Sequence, residues 1–215
     1  MLLSRFRSVP VRRILQTFPA AAASLLFLAA GAAGAQDQAA TQTFLSPMGE
    51  PFRAPAGKPY PSDQWFAGAD ANHDGSISRE EFRADAARFF KLLDADSDGK
   101  ISDREVSYYE YRVAPEVVAA AVDTSGTKAP KNADDDRPKN IPLANVRQGA
   151  AFYSWLNDAE PLRSADIDFN RKVTPEEWKA AADRKFALLD PDGTGSIKLA
   201  DMPLTPIQAA ALKKR

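Results

Sequence analysis

Two stretches of the chain repeat one pattern of apolar positions. Phe82, Ala86, Phe90 and Leu93 recur 96 residues later as Trp178, Ala182, Phe186 and Leu189. Steps of four, four and three put each set on one face of a helix. No Gly or Pro falls between the first and last of these positions, so the spacing predicts a duplicated amphipathic helix within the repeat 80–101 and 176–197. Elsewhere the pattern argues against helix. Residues 36–61 hold Pro47, Pro51, Pro55, Pro59 and Pro61, which predicts an extended arm. Phe44, Phe52 and Tyr60 recur along it every eight residues; they are incidental, or the arm packs onto the helical body. Residues 123–142 are polar and broken by Gly126, Pro130, Pro138 and Pro142, a surface linker whose Asp134-Asp135-Asp136 run is a solvated turn.

The first 35 residues have three parts. Met1 to Pro19 is basic, Ala20 to Ala30 is apolar, and Ala33-Gly34-Ala35 offers a small-residue cut, the layout of an export signal. The apolar part is too short to span a bilayer comfortably, so no membrane span is expected in the mature form. The predicted organisation is all-α: signal peptide 1–35, arm 36–61, helical pair 62–122, linker 123–142, second helical pair 143–205, tail 206–215.

Export changes the charge. The 28 basic and 29 acidic residues nearly balance, but four arginines precede residue 36, leaving 24 against 29, a net charge of −5. No basic stripe remains to neutralise phosphates, which argues against nucleic acid. With no Cys and only His73, thiolate zinc sites, disulfide scaffolds and Cys nucleophiles are excluded. No clustered nucleophile and base or phosphate-binding glycine loop is visible, so an enzyme is not expected.

The chemistry lies in four oxygen-rich twelve-residue windows: Asp70 to Glu81 (DANHDGSISREE), Asp94 to Glu105 (DADSDGKISDRE), Asp166 to Glu177 (DIDFNRKVTPEE) and Asp190 to Asp201 (DPDGTGSIKLAD). An apolar residue stands four positions before each (Phe66, Phe90, Leu162, Phe186), as on an incoming helix. These windows resemble the calcium loops of the EF-hand family, over roughly 62–113 and 145–205. The resemblance implies a helix-loop-helix bundle and up to four Ca2+ ions. Calcium takes six to eight oxygens, here from positions 1, 3, 5, 7, 9 and 12.

The implied ligands of the first loop are Asp70, Asn72, Asp74, the Ser76 carbonyl, Ser78 and Glu81. Those of the second are Asp94, Asp96, Asp98, the Lys100 carbonyl, Ser102 and Glu105. The third offers Asp166, Asp168, Asn170, the Lys172 carbonyl, Thr174 and Glu177. It has Arg171 where a sharp turn favours glycine, at a cost of roughly 1–2 kcal/mol. The fourth offers Asp190, Asp192, Thr194, the Ser196 carbonyl and Asp201, whose shorter side chain has less bidentate reach. The second loop ranks first, then the first, then the other two. His73 falls at a non-ligand position and is expected to be silent.

Ile77, Ile101, Val173 and Ile197 stand at position 8, where β-favouring residues let two loops bridge as a short ladder. Within each half the loops start 24 residues apart. A shared helix of about 18 Å then joins them, and loops at its opposite ends cannot easily pair. The compact spacing is similar to that of the lanmodulins, exported bacterial lanthanide binders. That resemblance implies that the first loop pairs with the fourth and the second with the third. Lanmodulins carry proline at position 2 and an acid at position 9; here only Pro191 matches, and position 9 is Ser78, Ser102, Thr174 and Lys198.

The expected function is therefore an exported, periplasmic or secreted, calcium-binding protein: a buffer, a sensor or an adaptor. Phe89, Phe90, Tyr108, Tyr109, Phe152, Tyr153 and Trp155 would form a sensor's groove, or the core. The alternatives are lanthanide capture, and a calcium-rigidified adaptor docking on an envelope protein through the proline-rich arm.

Overall fold

The computed structural model describes residues 41–119 and 147–213. The predicted signal peptide and the linker 123–142 lie outside these residues. Among the described residues no helix is long and apolar enough to cross a membrane.

The arm departs most from expectation. Thr41–Leu45 (β1) and Pro51–Pro55 (β2) form an antiparallel hairpin, with Phe44 opposite Phe52 and Leu45 opposite Pro51. The Leu45 amide donates away from β2, to the Tyr153 carbonyl at 3.0 Å. Leu45, Thr43 and Thr41 therefore turn their backbone groups outward, as do their partners Pro51, Arg53 and Pro55. Proline has no amide to offer on that free edge, so both prolines fit an edge strand. Phe44 and Leu45 are wholly buried. The Phe44 ring lies 4.8 Å from Trp155 and 6.0 Å from Trp65, centroid to centroid. At the hairpin tip the Tyr109 hydroxyl donates to the Gly49 carbonyl at 2.6 Å. The molecule is thus helical with a β-hairpin built into its core, not all-α, and the arm is packed.

From the hairpin the chain runs through Ser62–Ala69 (α1), Ile77–Ser78 (β3), Arg79–Leu93 (α2), Ile101–Ser102 (β4) and Asp103–Tyr108 (α3), which widens over Tyr109–Val113 into a π turn before Glu116–Ala119 (α4). After short 3-10 turns at Gly149–Phe152 and Arg163–Ala165 come Lys172–Val173 (β5), Pro175–Leu189 (α5), Ser196–Ile197 (β6), a 3-10 turn at Leu199–Asp201 and Pro206–Lys213 (α6). The predicted tail is therefore a helix.

The repeated helices α2 and α5 pack against each other through the predicted apolar faces. Phe82 and Phe186 meet edge to face at 5.7 Å, and Trp178 Nε1 donates to the Ala86 carbonyl at 2.7 Å. The described residues belong to one unit, with a single cluster of buried side chains drawn from both halves.

The strands β3 to β6 are the loop bridges. β3 pairs with β6, Ile77 opposite Ile197, and β4 pairs with β5, Ile101 opposite Val173. The first loop thus joins the fourth and the second joins the third, through four wholly or almost wholly buried β-branched residues. Helices α2 and α5 connect the two bridges, so the four loops and two helices close into a ring.

Two helices expected around the second pair do not form. The chain enters the third loop through the 3-10 turn Arg163–Ala165, just after Pro161. Leu162 is buried as predicted, but the Asp166 amide closes on Arg163, three residues back, whereas Asp70, Asp94 and Asp190 each close a full α turn on Phe66, Phe90 and Phe186. An ion pair between the buried Lys185 and the half-buried Asp158 holds this segment instead. Lys185 Nζ lies 2.9 Å from Asp158 Oδ2, which also accepts from Ser164 Oγ at 2.6 Å. The chain leaves the fourth loop through Leu199–Asp201 and then meets Pro203 and Pro206, neither of which can donate the backbone bonds a continuing helix needs.

Candidate metal centres

Each of the four windows folds into the same left-handed kink. Gly75, Gly99 and Gly195 have φ of 85°, 84° and 80°, and Arg171 follows them at 65°. Position 4 is left-handed as well: His73, Ser97, Phe169 and Gly193 have φ between 58° and 65°. Sequence reasoning expected this at position 6 only; Gly193 was the available signal for position 4. His73 thus has a backbone task.

The kink turns backbone amides inward onto the first aspartate. Asp70 accepts from the Asp74 and Gly75 amides at 3.2 and 3.0 Å, and Asp94 from Asp98 and Gly99 at 3.0 Å each. Asp166 accepts from Asn170 and Arg171 at 3.1 and 2.9 Å, and Asp190 from Thr194 and Gly195 at 2.7 and 2.8 Å. Positions 1, 3 and 5 converge in the second loop, where carboxylate oxygens of Asp94, Asp96 and Asp98 lie within 4.8 Å of one another, and positions 1, 3 and 12 converge in the third, at Asp166, Asp168 and Glu177. In the first loop Asn72 replaces one carboxylate, and its amide nitrogen donates to Asp74 Oδ2 at 2.9 Å. Hard oxygens clustered this closely, without nitrogen or sulfur ligands, fit Ca2+ and not a soft metal.

Position 12 is held by a device that the ligand pattern alone does not show. Glu81 Oε2 accepts from the Ser78 amide and hydroxyl at 2.9 and 2.8 Å, and Glu105 Oε2 from Ser102 at 2.7 and 2.8 Å. Glu177 Oε2 accepts from Thr174 at 2.9 Å twice. Ser78, Ser102 and Thr174 begin α2, α3 and α5, and each closes a capping box with its glutamate. The S-x-x-E and T-x-x-E spacing was legible as a helix start. At position 9, Ser78, Ser102 and Thr174 therefore act as helix caps. The other glutamate oxygen reaches back across the loop, Glu81 to the Asn72 amide at 3.1 Å, Glu105 to Ala95 at 2.8 Å and Glu177 to Ile167 at 3.1 Å.

These bonds keep the glutamates ionised. The Ser78 amide holds Glu81 below the ordinary 4.5, and the Thr174 amide does the same for Glu177. For Glu105, partial burial pushes upward, but the Ser102 amide and hydroxyl outweigh it and the carboxyl is lowered. The Ser76 hydroxyl lowers Asp74.

The fourth loop differs. Lys198 stands where the cap would be and Asp201 where the glutamate would be, so neither capping box nor α-helix forms. Thr194 Oγ1 is engaged by Asp190 Oδ1 at 2.9 Å and the Ser196 carbonyl at 3.0 Å. Asp201 still lines one cavity of about 310 Å³ with Asp190, Asp192, Thr194 and Ser196. Carboxylates thus converge in the second and third loops, while in the fourth Asp201 shares a cavity with Asp190 and Asp192.

The EF hand family model matches residues 63–84 and 86–107, covering much of the first two loops and the helices around them. No curated protein matches the chain. Two adjacent matched hands, with loop geometry to suit the ion, support calcium binding by EF hands at the first two loops.

Proposed function

We propose that the chain is an exported, non-enzymatic calcium buffer whose fold is tightened by the ions it holds. The observation that carries this reading is the placement of the loops at both ends of α2 and α5, bridged into one ring. An ion that gathers clustered carboxylates there offsets their mutual repulsion and stabilises both bridges, so ion uptake and folding are linked. A buffer is favoured over a sensor because the side chains a sensor would uncover are used up inside: Phe89, Phe90, Tyr109 and Trp155 are buried in the core. Tyr108, by contrast, is exposed beside the second loop. The docking arm of the adaptor reading is likewise committed to packing, so deleting residues 36–60 would remove Phe44, Leu45 and Met48 from the core. The reading places the mature protein in the periplasm or outside the cell, on the strength of the three-part leader.

Calorimetry with calcium on the mature chain, alongside binding of an apolar dye, tests this. Three or four ions bound without a rise in dye binding is the expected result; a calcium-driven rise would overturn the buffer reading in favour of a sensor.

A further inference from the structure

The third loop carries two side chains that neither ion binding nor folding uses. Phe169, at position 4, is 85% exposed, and Ile167, at position 2, is 51% exposed. The same positions in the other loops hold small or polar residues or proline: Ala71 and His73, Ala95 and Ser97, Pro191 and Gly193. Phe169 also sits at φ 59°, where Gly, Asn or Asp would be cheaper. An aromatic residue placed there and left in water gains nothing from the fold. Arg171 and Lys172, both exposed, follow at the same tip, and Arg171 makes only a long contact of 3.9 Å with Asp103.

Resting on the reading that the third loop holds an ion, we propose that this tip is a calcium-dependent contact for an anionic lipid surface. Ile167 and Phe169 enter the headgroup boundary while Arg171 and Lys172 meet the phosphates. Two exposed apolar side chains beside two exposed cations match the acyl boundary and the phosphates of an anionic bilayer together, which favours lipid over a protein partner. Apolar side chains flanked by cations are the pattern that such interfaces retain. Charge supplies the calcium dependence. Residues 166–177 contain four acids and two bases, so the empty loop is net negative and repelled. A bound divalent ion cancels that charge and leaves the two cations facing the membrane.

The test is co-sedimentation of the mature chain with vesicles of equal parts phosphatidylglycerol and phosphatidylcholine, in calcium and in chelator. The expected result is binding in calcium only, weakened about tenfold or more by Phe169→Ser, retained by Phe169→Trp, and absent with pure phosphatidylcholine. Calorimetry runs alongside, with Glu177→Gln removing the third-loop ion and Phe169→Ser leaving the ion count unchanged. Full ion uptake with no vesicle binding, or equal vesicle binding by Phe169→Ser, overturns the proposal and leaves the ion reading intact. An ion count unchanged by Glu177→Gln overturns both.

Discussion

Ile101 of the second loop lies directly opposite Val173 of the third, so the two loops share one buried bridge although 72 residues separate them. An ion that fixes one loop fixes its partner's strand. Glu105→Gln removes the carboxylate that latches the second loop. It should lower the calcium count by at least one and weaken the third loop by about fivefold or more, a usual size for coupled sites. The first and fourth loops, bridged by Ile77 and Ile197, should change less. Calorimetry on the variant checks this; an unchanged ion count would falsify the ligand assignment.

Gly49 sits where the hairpin tip meets the π turn. Its φ is 96°, and a Cβ there would lie 2.8 Å from the Tyr109 hydroxyl and 3.0 Å from Pro161. Gly49→Ala should cost roughly 2–4 kcal/mol, combining overpacking with left-handed strain. Gly57 has a similar φ of 84° but open space around it, so Gly57→Ala should cost only about 1 kcal/mol. Urea denaturation in saturating calcium separates the two; equal losses would mean that the Tyr109 contact is unimportant.

These side chains show which parts of the molecule could be read from the sequence. The four loops were legible because calcium dictates residue types at fixed spacing, and α2 and α5 because helical period and repeat agree. The hairpin was not. Its turn, Ser46 to Glu50, is closed by a Ser46 amide bond to the Glu50 carbonyl and a Glu50 amide bond to the Ser46 hydroxyl. Its burial depends on Trp65, Trp155 and Tyr109, all distant in sequence. The missing entry helix of the third hand was masked because Leu162 fits the apolar pattern, while Pro161 and the Asp158–Lys185 pair decide the backbone. Lys185 itself takes the place that Phe89 holds in the first repeat, a local break in the duplication that marked the change.

That pair yields a third prediction. Lys185 is buried, and desolvation lowers its pKa while Asp158 works to raise it. Lys185→Met leaves the half-buried Asp158 without its counter-charge and should destabilise by roughly 1–3 kcal/mol, since a partly desolvated charge without its partner costs more than the pair gains. Lys185→Met combined with Asp158→Asn should recover much of the loss. A double mutant no more stable than Lys185→Met would show that the charge is not the issue.

Arg171 bears the strain that Gly75, Gly99 and Gly195 avoid at the same position. Arg171→Gly should relieve about 1–2 kcal/mol of left-handed strain and return up to about 1 kcal/mol of it to the freedom of the unfolded chain. A net gain of about 0–2 kcal/mol follows, read as a higher melting temperature. Arg171→Ala keeps the Cβ and should give no such gain, so equal melting temperatures for the two variants would refute the strain argument.

The capping glutamates set the acid limit of calcium retention. Glu81, Glu105 and Glu177 are held below the ordinary carboxyl value of 4.5. A depressed folded-state pKa contributes stability that is fully present above the unfolded value and lost as pH falls through the folded one. Calcium should therefore stay bound through neutral and mildly acidic pH and be released only below about pH 4.5. Ser78→Ala removes the hydroxyl that helps to hold Glu81 down and also weakens the start of α2 by about 1 kcal/mol. Its release of the first-loop ion should begin at higher pH than in the wild type, while the second loop, capped by Ser102, keeps its own limit. Titrating retained calcium against pH in both proteins gives the comparison. Coincident curves would mean that the caps position the glutamates without setting their protonation.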